Sequence, residues 1–488
     1  MQRWIVALAV LTATAGCSGG ETVDGTALGV ASIQISPASA SLLVGATEQF
    51  TGVALSASGA QLTGAAITFS SGTPAVATTT AGGLVTAVAP GTATITAQSG
   101  SEQASATVTV TAPPIPASLQ LDRDSVDLAA DVTAGVTATV RDSAGNVLAN
   151  ALVAYTSTDS TVFTVNARGV ITGRGSGEAH LVAAAGSVRD TVPVVVYHPF
   201  SGTLQPPVTI PGRPFGVTVS PNNVLYVTEQ DSAALARVTL PGLAANGSVP
   251  VGTDPGEVIF NATGTTAWSA NVNGSSISVI DVADGTVTKT FALAVSPYRI
   301  RLSPDGTRLY ACTNAGTVLV LDPGSGATLA TIGVGSAAAN GMVLSPDGAH
   351  LYVTTTSAGT IADIDTKTTT VLRSLSVPGT LQDIGISPDG TELYVAVDEG
   401  ALDVVNVASG AVTSQIALNS AFGLQVSPHG YYIAVSEPSD RKVLVFDRVL
   451  RRLVAQYTAS GTLRRVAFDS AGTTLAVASE ANAVYVIR

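Results

Sequence analysis

At 488 residues the chain is about three times the roughly 150 residues of a typical domain, so about three modules are expected, each long enough to bury a core. Apolar residues make up 46% and charged residues 11%, which excludes a disordered chain, while 49 glycines and 24 prolines exclude a helical one and point to an all-β protein. The net charge is -12 and three lysines (Lys289, Lys367, Lys442) stand among 22 cations, so no polybasic surface exists to neutralise phosphates and nucleic acid is excluded as a partner.

The first seventeen residues, MQRWIVALAVLTATAGC, carry one cation (Arg3), an apolar stretch from Trp4 to about Leu11, and then small residues. That is the pattern of a secretory signal. The run falls far short of the roughly 20 apolar residues that cross a bilayer, and no other uninterrupted stretch of that length occurs. Thr14-Ala15-Gly16-Cys17 resembles the bacterial lipobox. The resemblance implies cleavage before Cys17 and a diacylglycerol on its thiol, a lipoprotein held at a membrane by acyl chains without a transmembrane helix. Ser18 follows the cysteine where aspartate implies inner-membrane retention, so the outer membrane or cell surface is favoured. With Cys17 acylated, the second cysteine, Cys312, has no partner, and no disulfide is expected. Flanked by Leu309-Tyr310-Ala311, it is expected as a small buried hydrophobe.

Residues 18–30 (SGGETVDGTALGV) are small and polar, as in a flexible tether. Two modules follow, 31–116 and 117–199, divided near Pro113-Pro114-Ile115-Pro116. In the first, short β-rich runs (Ile33 to Ile35, Thr47 to Val53, Ala66 to Phe69, Thr92 to Ala97, Ala104 to Thr111) alternate with turn residues, the pattern of a β-sandwich. The stretch from Ile67 to Gly100, ITFSSGTPAVATTTAGGLVTAVAPGTATITAQSG, resembles the bacterial Ig-like group 2 family. The second module repeats the plan: Gly169-Val170-Ile171-Thr172 corresponds to Gly83-Leu84-Val85-Thr86, and Gly177 to Gly91. Phe69 and Tyr155 stand where that family usually has Trp.

From about residue 200 a turn marker recurs at Ser220, Asn261, Ser303, Ser345, Ser387, Ser427 and Asp469, every 40 to 42 residues, three times as SPDG. Each marker lies between a short apolar strand and another such as Leu225-Tyr226-Val227. Two more strands complete the period. Four strands per repeat is one propeller blade, so 200–488 is predicted to form a seven-bladed β-propeller. The last repeat ends after three strands, and residues 203–210 (TLQPPVTI) are expected to supply the fourth and close the ring. The spacing, the SPDG turns and Tyr352-Val353-Thr354-Thr355 resemble the YVTN-repeat propellers, with lactonase-like propellers as cousins; the resemblance is specific for fold and poorly specific for activity. The expected fold class is thus all-β: two Ig-like β-sandwiches followed by a seven-bladed β-propeller.

Catalytic signals are sparse. The four histidines (180, 198, 350, 429) form no H-x-x-x-H pair, the G-x-S-x-G match at Gly16 to Gly20 straddles Cys17, and no Walker or dinucleotide motif occurs, so no catalytic residue, metal or cofactor is assigned. Asp305, Asp347 and Asp389 suggest either cation ligands or turn caps, and Ser-Pro-Asp-Gly needs only the second. The loops after each second strand and between blades open on one face around the channel mouth. They supply the candidate ligand-binding rim: Glu229, Glu257, Arg299, Asn340, Asp383, Asp398, Glu437, Arg465 and Glu480. Phe215, Tyr298 and Phe422 stand beside these positions. The same pattern is also what solvated loops and Arg–carboxylate pairs between neighbouring blades produce. Three functions are compatible with this: recognition of a protein, glycan or small polar ligand at the propeller face by an envelope-anchored protein; a lactonase-like metal-assisted hydrolase; or a purely structural, adhesin-like role.

Overall fold

The computed structural model describes residues 29–240 and 242–488, so the expected signal segment, Cys17 and the expected tether up to residue 28 lie outside the described residues. The described chain is strand and turn without helix. The first compact unit runs to Ala117 and also takes residues 141–149. Its main sheet orders Ser39–Leu43, Glu102–Thr111, Gly91–Ser99 and Thr68–Ser71, with Ser39–Leu43 parallel to Glu102–Thr111. A second sheet is built from Thr47–Gln49, Leu84–Ala87 and Ala77–Thr79. Along Gly91–Ser99, Ala93, Ile95 and Ala97 are buried while Thr92 and Thr94 face water, the period-two alternation of a half-buried strand. Those residues join Phe50, Val85, Val108 and Val110 in the core.

In the second unit the same order returns at 126–197: Val126–Ala129, Val188–Tyr197, Gly177–Ala185 and Ala154–Ser157 in one sheet, Thr133–Gly135, Val170–Gly173 and Phe163–Val165 in the other. The glycine correspondence read from the sequence has a steric cause. Gly83 (φ 87) and Gly169 (φ 76) both adopt positive φ, and a Cβ there would sit 2.3 Å from the Phe50 carbonyl oxygen and 2.1 Å from that of Val136. The Phe69 and Tyr155 rings pack over these glycines, 3.0 and 3.1 Å from the same hypothetical Cβ.

From residue 208 onward there are seven four-stranded antiparallel sheets. The first is Pro214–Val219, Val224–Glu229, Ala234–Thr239 and Ala244–Pro250, and each later blade repeats the plan. The last blade takes Leu463–Phe468, Leu475–Ser479 and Ala483–Ile487 from the C-terminus and Val208–Thr209 from the N-terminal side, with Val208 opposite Val484 and Thr209 opposite Ala483. The ring therefore closes with the segment read as the missing strand, and Thr203 N–H adds a bond to the Arg488 carbonyl at 2.7 Å. Apolar residues seal the junction: Val217 and Leu225 of the first blade pack with Ile210, Ala476, Val484 and Val486 on the side of the last. The marker aspartates cap their own turns. Asp305, Asp347 and Asp389 each accept a bond from the marker serine hydroxyl (2.5, 2.6 and 2.5 Å) and from a backbone N–H two residues on. The serine bond and the amide hold the Asp389 carboxyl down to about 2.

Cys312 is fully buried, its thiol pushed up to about 12 by burial.

Candidate functional site at the propeller mouth

Strand register defines the mouth. In six of the seven blades the first residue of the innermost strand pairs with the last residue of the second strand, as in Pro214↔Glu229, Pro255↔Asn271, Pro297↔Thr313 and Leu381↔Val397. Immediately after this pair the register slips in six blades, a β-bulge that re-aims the next side chains toward the channel. Five residues before each marker the blades present Phe215, Gly256, Tyr298, Asn340, Gln382, Phe422 and Arg464. Four residues before it they present Gly216, Glu257, Arg299, Gly341, Asp383, Gly423 and Arg465.

This second ring alternates close backbone approach with charge. Gly216, Gly341 and Gly423 donate their N–H to the hydroxyls of Thr228, Thr354 and Ser436 at 2.7 to 2.8 Å. The four charged members are buried and bond to one another. Arg299 reaches Glu257 at 3.0 Å and Asp383 at 2.7 Å; Arg465 reaches Asp383 at 2.7 Å; Arg301, two residues further along its strand, reaches Glu257 at 2.7 Å. Backbone N–H groups of Ile300 and Leu424 complete the carboxylates. Burial works to raise both carboxyls, but Arg299 with Arg301 holds Glu257, and Arg299 with Arg465 holds Asp383, below the ordinary range. Burial and the like charge of Arg299 bring Arg465 down to about 10. The network forms a charged floor across the channel.

Above the floor lies a cavity of about 450 Å³. Phe215, Tyr298 and Phe422 give it aromatic faces, and Gln230, Asp254 and Asn340 give it polar ones. Phe215 and Phe422 meet edge to face at 5.8 Å, and the Arg464 and Arg465 guanidiniums lie 4.8 and 4.9 Å from the Phe422 ring centre, which fixes its orientation. Gln230 Oε1 is buried without a hydrogen-bond donor, and Asp254 Oδ1, also buried, has the Arg213 guanidinium beyond hydrogen-bond reach at 3.6 Å. Burial pushes the Asp254 carboxyl up, against the pull of Arg213 at 3.6 Å.

The rim residues read from the sequence thus divide. Glu257, Arg299, Asp383 and Arg465 stand not on open loops, as the sequence suggests, but on the innermost strands, and are buried because the bulge turns them inward. Asn340 lines the cavity, with Arg465 reaching its Oδ1 at 3.4 Å. Glu480 pairs with Arg464 at 2.8 Å and Asp398, exposed, accepts from Gln382 at 3.2 Å. Glu229 and Glu437 end their strands buried; the first is pushed up by burial and the second accepts the Asn419 N–H at 2.7 Å. Gln230, Asp254 and Arg301 were missed. Arg301 was legible at a constant offset from the marker; Gln230, one residue past a strand, carries no such signal. Among the described residues no three His, Cys, Asp or Glu side chains gather as a metal site.

Residues 29–110 match the bacterial Ig-like domain (group 2) family. No curated protein matches the chain. Among solved structures, a chain of the hydrazine synthase of Kuenenia stuttgartiensis is similar, with a TM-score of 0.53 and 21% identity over 57% of this chain and 96% of that one. At that identity the likeness is one of fold. Solved chains that match number 1807, so the fold by itself selects no activity.

Proposed function

We propose that this is a binding protein of the bacterial cell envelope, a lipoprotein anchored through Cys17 whose Ig-like modules carry a YVTN-type propeller, and that the propeller mouth recognises a glycan. A bacterial Ig-like domain in an all-β chain fits an extracellular binding or structural role. The observation that carries the finer reading is the pairing, in one cavity, of aromatic faces with buried acceptors short of donors: Gln230 Oε1, which has none, and Asp254 Oδ1, which faces the Arg213 guanidinium at 3.6 Å, beside Phe215, Tyr298 and Phe422. Sugar C–H faces stack on aromatic rings, and sugar hydroxyls supply the missing donors. A carboxylate ligand would face those acceptors with repulsion. The hydrolase alternative needs metal-binding carboxylates, but Glu257 and Asp383 are each held between two arginines.

Titration calorimetry of the full chain against neutral oligosaccharides and peptidoglycan fragments tests this. Binding weakened at least tenfold by Phe422→Ala and by Gln230→Ala supports the reading. Glycan binding that neither variant alters removes the mouth as the site.

A further inference from the structure

The charged floor has a second side. Toward the marker turns it opens into another cavity, of about 400 Å³. Two residues before the markers the ring reads Thr218, Ile259, Arg301, Val343, Gly385, Gln425 and Ala467, and one residue before them Val219, Ile386, Val426 and Phe468 also reach the cavity. Beyond the floor the walls are mostly apolar, with Thr218 and Gln425 as neutral polar members and Arg301, whose side chain is 26% exposed, as the charged one.

The floor and Arg301 together are short of acceptors. Three guanidiniums share two carboxylates: Glu257 Oε1 takes Arg299 and Arg301, and Asp383 takes Arg299 and Arg465. Arg299 Nε and Arg465 Nε are buried with no acceptor. Asp305, Asp347 and Asp389, at the same end of the propeller, accept bonds from their own turns and none from Arg301. The floor with Arg301 thus sets three guanidiniums against two carboxylates, one positive charge in excess within this set, and Arg301 is the member that reaches solvent in the lower cavity. A monoanion on Arg301 balances it. An apolar body on that anion would also displace water from Ile259, Val343, Ile386 and Val426.

We propose that this lower cavity binds an organic monocarboxylate, its carboxylate on Arg301 and its apolar tail along Ile259, Val343, Ile386 and Val426. The site is separate from the mouth, which lies beyond the floor and offers acceptors where this one offers a donor. The two proposals stand or fall independently.

The test is calorimetric titration of the full chain with hexanoate, its neutral analogue hexanamide, and chloride. The expected result is binding of hexanoate, at least tenfold weaker binding of hexanamide and of chloride, and at least tenfold loss of hexanoate affinity in Arg301→Gln. Val343→Phe, which fills the cavity and leaves the ion pairs in place, is expected to abolish hexanoate binding in a protein whose circular dichroism is unchanged; this variant decides the matter where Arg301→Gln misfolds. Equal binding of hexanamide, equal binding of chloride, or hexanoate binding that survives Val343→Phe overturns the proposal.

Discussion

Asp383 is the carboxylate on which the channel floor turns. It bonds Arg299 and Arg465, each at 2.7 Å, and accepts the N–H of Leu424 at 3.1 Å, and it is 1% exposed. Asp383→Asn keeps the shape and removes the charge. Arg299 retains Glu257 at 3.0 Å, but Arg465 is left with the Gln382 carbonyl at 3.3 Å and Asn340 Oδ1 at 3.4 Å, both long and neutral. Breaking a buried pair from one side costs about 3 to 5 kcal/mol, because the surviving charge stays buried. For a propeller of this size each kcal/mol moves the melting temperature by about 2 °C, so a fall of roughly 6 to 10 °C is expected by calorimetry. Asp398→Asn, at the exposed partner of Gln382, is expected to move it by less than about 1 °C. The double variant Asp383→Leu with Arg465→Met removes both charges and should recover most of the loss. A single variant no less stable than Asp398→Asn, or a double variant worse than the single, would refute the ion-pair argument. Acid acts on the same group. Burial works to raise Asp383, but the two arginines hold it below the ordinary range, so its contribution is full above the unfolded value of about 3.9 and is lost as pH falls through the lower folded one.

Three further outcomes are expected. Gly423→Ala would place a Cβ 2.5 Å from the Arg464 carbonyl oxygen and 2.8 Å from Arg465 Cα, so it should lower the melting temperature by several degrees, while Gly333→Ala, with nothing within 4 Å, should not. Burial lowers the His198 imidazole, with Asp447 opposing, so its stabilising contribution is present above about pH 6.5 and lost below it; a fall in melting temperature from pH 7.5 to 5 should shrink in His198→Phe. Cys312 should resist thiol reagents in the native protein and label at once in denaturant, since it is enclosed and its thiol is pushed up to about 12.

The blades were legible because a turn must punctuate each one, and Ser-Pro-Asp-Gly does so with residues that each have a local task. Ring closure was legible too, since a three-stranded last repeat leaves an edge that TLQPPVTI can cover. The four charged floor residues were visible as residues but not as neighbours: Arg299 and Asp383 are 84 positions apart, and a bulge that rotates a side chain inward leaves no mark in composition. The contact between the second Ig-like module and the sixth blade was not legible at all. There Ser176 Oγ donates to Asp447 Oδ2 at 2.6 Å across 271 positions, and His198 N–H donates to the same oxygen at 2.9 Å. Nothing local in either segment requires the other.

If the mouth above the charged floor takes a donor-rich glycan, that ligand stabilises the native chain. The most direct measurement is the melting temperature of the full chain across a panel of neutral glycans and peptidoglycan fragments. A ligand at 100 times its dissociation constant adds about 2.7 kcal/mol, which for this propeller means a rise of roughly 5 °C. Such a rise with a glycan, lost in Phe422→Ala, is expected. A panel that leaves the melting temperature unmoved, or a rise that persists undiminished in that variant, would contradict it.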